Sequence, residues 1–99
     1  MKLALAELAQ RLGGVLDGPN EAIATGFATD SSQVQPGDVF LAIKGSRVDG
    51  HAFCREAVAA GAVASLVERP VEGPHILVPN LVEALARLGA SWRAEFTGP

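Results

Sequence analysis

Between Asp38 and Val67 an apolar run, a helical stretch and a second apolar run follow one another, and that order constrains the fold more than any other feature. The first run, D-V-F-L-A-I at Asp38 to Ile43, follows the turn signal Pro36-Gly37 and reads as a strand covered on both faces. A helix beginning at His51 or Ala52 is expected to reach about Ala60, with Phe53, Ala57 and Val58 inward and Gly61 as its stop. Ala62 to Val67 is β-branched and apolar, and Glu68-Arg69-Pro70 terminates it. Strand, helix and strand in this order form a βαβ unit, which normally makes a parallel pair with a right-handed crossover.

The flanking sequence adds smaller elements. Leu5, Leu8 and Leu12 fall at helical spacing within Met1 to Leu12, before the stop Gly13-Gly14. Gly14 to Leu16 reads as a brief strand closed by D-G-P-N, Ile23 to Ala28 as a second strand, and His75 to Val78 as a further short one. Asn80, with Glu83 three residues on, suits the N-cap of a closing helix in which Leu81, Leu85, Leu88 and Trp92 share a face. The expected fold class is therefore α/β, a small mixed β-sheet with flanking helices around a right-handed βαβ unit.

A chain of 99 residues is one domain's worth, and its 48% hydrophobic and 19% charged residues fit an ordinary globular core. The net charge of −3 gives no global attraction to nucleic acid or to an anionic membrane, so a bound anion must be held locally. One cysteine, Cys54, excludes an internal disulfide and a cysteine-based zinc site. There is no run of about 18 apolar residues and no visible signal peptide, so the expectation is a cytoplasmic protein without a membrane span. The sequence also lacks G-x-x-x-x-G-K-[ST], G-x-G-x-x-G and H-E-x-x-H. His75 reads as structural, and Cys54 as an inert core residue.

Chemistry concentrates instead in two polar loops at the ends of the first apolar run. In the first, Thr29, Asp30, Ser31 and Ser32 admit two readings: Asp30 caps a turn made by the serines, or hydroxyls and backbone amides meet the polar edge of a ligand. In the second, Lys44, Gly45 and Arg47 suit phosphate, because glycine lets a ligand approach the backbone while the cations offset its charge. A solvated loop would look the same. Asp49, Gly50 and His51 combine a helix cap with an N-terminus that also attracts an anion.

The stretch D-S-S-Q-V-Q-P-G-D-V-F-L-A-I-K-G-S-R-V-D-G-H-A-F resembles the N-terminal domain of the bacterial Mur ligases that add the third amino acid or the terminal dipeptide to the peptidoglycan precursor. That family shows D-[ST]-R-x-[VL]-x-P-G-[DC]-[LV]-F-[VF]-A-[IL]-x-G, then D-[GA]-H-x-[FY], then an apolar strand ending in E-R-P. Val67-Glu68-Arg69-Pro70 and Val78 to Arg93 continue the match, which runs from about Ala22 to the C-terminus. The closing A-L-A-R-L-G-A-S-W-R-A-E-F-T-G-P is more similar to the D-alanyl-D-alanine-adding type (MurF) than to the diaminopimelate- or lysine-adding type (MurE). Ser32 stands where the family usually carries arginine.

The resemblance implies a three-domain enzyme in which residues 1–99 are the N-terminal domain that holds UDP-N-acetylmuramoyl-peptide. A central ATP-binding domain and a C-terminal domain would follow in the same chain, as the helix end and Thr97-Gly98-Pro99 suggest. In such enzymes ATP phosphorylates the substrate's terminal carboxylate, magnesium serves the phosphates, and the incoming amine attacks the acyl phosphate to form an amide. The implied substrate contacts are Thr29, Asp30, Ser31, Ser32, Lys44, Gly45, Arg47, Asp49, Gly50 and His51. The implied partners are the substrate and the remaining domains, with no nucleic acid and no membrane, and these residues alone are expected to bind weakly, to take no cofactor and to catalyse nothing. A stand-alone α/β module that holds a nucleotide or a protein is the competing expectation.

Overall fold

A computed structural model describes residues 2–43 and 49–96, the last six as backbone. In chain order it contains β1 (Leu3–Ala4), α1 (Leu5–Leu12), β2 (Val15–Asp17), β3 (Ile23–Ala24), β4 (Gly26–Ala28), a 3-10 turn (Ser31–Gln33), β5 (Asp38–Leu41), a second 3-10 turn (Gly50–Phe53), α2 (Cys54–Ala59), β6 (Ala64–Val67), β7 (His75–Leu77) and α3 (Leu81–Phe96). Five strands form one sheet in the order β2-β7-β6-β5-β4, and β1 and β3 form a separate two-stranded ribbon. β4, β5, β6 and β7 run parallel and β2 antiparallel, so the sheet is mixed, as the sequence leads one to expect.

Side chains of a strand alternate between faces, and the central strands are buried on both. Val39, Leu41, Ala64, Leu66 and Ile76 face α1 and α3, where Leu5, Leu8, Leu12, Leu81, Ala84 and Leu88 complete the larger core. Phe40, Ala42 and Val67 face the other way and pack with Cys54 and Ala57 of α2 and with Ala62. The apolar run after Pro36-Gly37 is thus a doubly covered strand, and α2 is the connection that lets β5 and β6 pair in parallel.

Several boundaries differ from the sequence-based expectation. The helix expected from His51 or Ala52 begins only at Cys54, because Asp49 caps a 3-10 turn over Gly50–Phe53 first, and the strand expected from Ala62 begins at Ala64. The N-terminal helix starts at Leu5 rather than at the chain's beginning, because Leu3 and Ala4 pair with Ala24 and Ile23. α1 has no side-chain cap, and its first amides donate instead to main-chain carbonyls, Leu5 N–H to Ala22 and Ala6 N–H to Asn20. Ile23 to Ala28, expected as one strand, divides at Thr25, whose N–H donates to the Gly37 carbonyl at 2.9 Å. Its first half pairs with β1 and its second with β5. Other signals match the observed ends. Gly13 closes α1 with φ of 73°, a left-handed conformation that favours glycine, and the Asn80 side chain accepts the Glu83 N–H at 2.9 Å at the start of α3. The side chain of Trp92 lies outside the described residues.

Leu8 is 0% exposed in the larger core, whereas Val82 on α3 is 76% exposed. Leu8→Ala is expected to lower the unfolding free energy by about 2–5 kcal/mol, and Val82→Ala to change it by less than about 0.5 kcal/mol, in urea titrations followed by circular dichroism.

Candidate functional site

Because β4, β5 and β6 are parallel and in register, the segments after Ala28, Leu41 and Val67 leave the sheet at one edge. That carboxyl edge is where ligands of open α/β sheets ordinarily sit. An open cleft of about 320 Å³ lies there, lined by Thr29, Asp30, Ser31, Phe40, Ile43, Gly50 and Phe53. Both polar loops of the sequence reach it, and β5 between them contributes Phe40.

In the first loop Asp30 is extended and caps the 3-10 turn that follows. Its Oδ1 accepts the Ser32 N–H at 2.9 Å and the Ser32 hydroxyl at 2.8 Å, and these bonds, the backbone one first, hold the Asp30 carboxyl below the usual carboxylate range. The capping reading of this loop is therefore what the structure shows. Thr29, Asp30 and Ser31 line the cleft all the same, while the Ser32 hydroxyl turns back onto Asp30. The Ser31 hydroxyl donates, at a long 3.4 Å, to Glu56 of α2.

The second loop is closed at its base by Gly50, whose N–H donates to the Ile43 carbonyl at 2.9 Å. A Cβ on Gly50 would stand 2.7 Å from the Ile43 nitrogen and 2.9 Å from the Ala42 carbonyl carbon, so no larger residue fits this approach. Lys44, Gly45 and Arg47 lie outside the described residues. Asp49 caps the second 3-10 turn, its Oδ1 accepting the His51 N–H at 3.0 Å and contacting His51 Nδ1 at 2.6 Å. Its Oδ2 lies 2.8 Å from the Arg69 guanidinium. Together these partners, led by the His51 amide, pull the Asp49 carboxyl down to about 2.

His51 itself is buried, at 8% exposure, and does not line the cleft. Its Nε2 accepts the Glu68 N–H at 3.0 Å, which fixes the neutral ring in the tautomer that donates from Nδ1 to Asp49. His75 is also buried, with Nδ1 donating to the Gly73 carbonyl at 2.9 Å, in keeping with its structural reading. Cys54 is 2% exposed and burial pushes its thiol up, the opposite of what a reactive cysteine needs.

Sequence alone does not single out Phe40, Ile43 or Phe53 as site residues, since an apolar residue in a strand or helix reads first as core. It also leaves out Glu68 and Arg69, which grip the second loop from the end of β6. The spacing of D-G-H-A-F, with Phe53 two residues after His51, is the signal that places an apolar ring beside this loop.

Comparison with known proteins bears on the same residues. The family model described as Mur ligase family, catalytic domain, matches residues 24–93. The chain is 41% identical over 78 residues to a UDP-N-acetylmuramoyl-tripeptide–D-alanyl-D-alanine ligase of Synechocystis, an alignment covering 74% of this chain and 17% of that protein. It is 39% identical over 97 residues to a UDP-N-acetylmuramoyl-L-alanyl-D-glutamate–2,6-diaminopimelate ligase of Gloeobacter violaceus, covering 91% of this chain and 19% of that one. Among solved structures, MurF from Acinetobacter baumannii superposes with a TM-score of 0.85 at 32% identity over 96% of this chain and 22% of its own. MurF from Thermotoga maritima, solved with ADP, gives 0.68 at 40% identity over 74% of this chain and 18% of its own. The chain thus spans less than a quarter of the length of these relatives.

The depressed carboxyl of Asp49 makes stability depend on pH. The folded state holds the carboxylate down to about pH 2, while the unfolded chain takes up the proton near 3.8, so the stabilisation is complete above about pH 4 and is lost as pH falls toward 2. Urea midpoints of the natural chain and Asp49→Asn are expected to differ most at pH 5 and to converge on acidification. A gap that stays constant with pH would contradict the assignment.

Proposed function

This chain belongs to the Mur ligase family, and we propose that it forms the part of such a ligase that holds the uridine diphosphate end of a UDP-N-acetylmuramoyl-peptide. The observation that carries the reading is the cleft itself, built at the carboxyl edge of the sheet from the two loops that hold the family's motifs. Phe40, Ile43 and Phe53 give it an apolar lining that suits the faces of a uracil ring, and the Thr29 and Ser31 hydroxyls supply polar groups for its edge. Lys44 and Arg47, with Gly45 between them, are proposed to offset the diphosphate, a task that falls to local cations in a chain of net charge −3. Asp30, Asp49 and Gly50 shape the two loops against the ligand.

The dipeptide-adding reaction is the preferred assignment for the longer enzyme, supported by the MurF structures that superpose on the chain. The diaminopimelate-adding reaction is the second reading, favoured by a relative of that type aligned over 91% of the chain. ATP and magnesium are proposed for the longer enzyme alone. No group of three His, Cys, Asp or Glu side chains converges among the described residues, and the sequence has no phosphate loop, so the residues present do not fit either group and no step through them is derived for this stretch. By itself it is proposed to bind substrate and to catalyse nothing. No helix among the described residues is long and apolar enough to cross a membrane, and a cytoplasmic site of action, where nucleotide-linked precursors are made, is part of the same proposal.

Titration calorimetry of this chain with UDP-N-acetylmuramoyl-tripeptide is expected to show binding that free UDP displaces. The double variant Lys44→Ala, Arg47→Ala should lose about tenfold or more in affinity, the scale of removing charge-assisted contacts to phosphate. Binding that UDP does not displace, or no heat at millimolar ligand, would overturn the reading.

A further inference from the structure

The wall of the cleft that carries Gly50 and Phe53 is a four-residue 3-10 turn. So short a turn keeps its place only through bonds to the rest of the protein. Gly50 supplies one through its N–H to the Ile43 carbonyl, and His51, inside that turn, supplies others from a buried position. Its Nε2 accepts the Glu68 N–H at 3.0 Å while its Nδ1 meets Asp49 Oδ1 at 2.6 Å. Arg69, next in sequence to Glu68, reaches the other oxygen of the same Asp49 at 2.8 Å. The residue pair leaving β6 therefore holds the D-G-H segment at both its ends.

Glu68 extends the connection. Its carboxylate Oε2 accepts the N–H of Leu81, the first residue of α3, at 2.8 Å. A path thus runs from Asp49 through the His51 ring to the Glu68 N–H, and from the Glu68 carboxylate to the N-terminus of α3. The path needs a side chain that donates at one atom and accepts at another about a ring's width away, which neutral histidine does in a single tautomer.

We propose that His51 is a positioning residue: by accepting the Glu68 N–H while donating to Asp49, it sets Gly50 and Phe53 against the bound nucleotide and ties that wall of the cleft to the start of α3. The inference rests on reading the cleft as a uridine diphosphate site, and it deepens that reading by assigning to His51 a role in nucleotide affinity without a contact to the nucleotide.

Three variants test it. In His51→Gln the amide oxygen reaches as far as Nε2 and still accepts from Glu68. His51→Asn reaches Asp49 but not Glu68, and His51→Leu fills the space with neither bond. Amide hydrogen exchange at Glu68 and calorimetry with UDP are the readouts, with urea unfolding to show that each variant is folded. The leucine and asparagine variants are expected to lose about tenfold or more both in Glu68 protection and in UDP affinity, the scale of a buried donor left without its partner. The glutamine variant, which keeps the Glu68 bond and gives up the one to Asp49, is expected to hold Glu68 protection within about threefold of the natural chain and to lose clearly less UDP affinity than the asparagine variant. Should the leucine variant fail to fold, asparagine against glutamine carries the comparison. Unchanged Glu68 exchange in the asparagine variant would overturn the clamp whatever UDP does. Normal UDP binding in that variant, or an equal loss in the glutamine one, would overturn its role in affinity. Failure of the natural chain to bind UDP would overturn the nucleotide reading, and with it the affinity role, while the exchange data still judged the clamp.

Discussion

The parallel pairing of β5 between β4 and β6 is the constraint on which the rest of the structure depends. Phe40 lies opposite Ala28 on one side and Ser65 on the other, so the three strands end nearly level. Any chain leaving them emerges at one edge, and the Asp30 turn, the Gly50 closure and the Glu68-Arg69 pair meet there because of that register. The register is itself fixed by burial: a slip of one residue would turn Val39 and Leu41 away from α1 and α3, and Phe40 away from α2. Packing that stabilises the sheet is thus also what brings the site together. The direction of causation runs from the core outward.

Much of this is legible in the amino-acid sequence because the signals are local. The doubly covered β5, the connecting α2, the Gly13 stop and the Asn80 cap each depend on a few neighbouring residues, and each can be read from them. Where a pairing leaves no pattern in the residues that make it, the sequence is silent. β1 and β3 are two-residue strands that exist because Leu3 meets Ala24, and nothing in either pair of residues announces it. The break at Thr25 likewise follows from the main chain at Gly37.

The site divides along the same line. Asp30 and Asp49 can be read as caps from their own surroundings, and both cap the turns that follow them. His51 reads as a residue offered to a ligand, yet its ring is held by an amide seventeen residues on, a partner that only the fold brings near. Phe40, Ile43 and Phe53 are hidden for another reason. An apolar residue at the rim of a core follows the same pattern whether it touches protein or ligand. Family resemblance supplies the nucleotide, and the geometry adds where an apolar ring could lie and which bonds hold the surrounding wall.

The central claim is that the carboxyl edge of β4 and β5 receives the uridine diphosphate end of the substrate. Amide and methyl shifts followed by NMR during a UDP titration test it most directly. The account predicts saturable shifts centred on Thr29, Ser31, Ile43, Gly50 and Phe53, with Asp17, Gly18 and Gly73 at the far, amino edge of the sheet unmoved. Shifts centred on that far edge, or spread evenly over the surface, would contradict it.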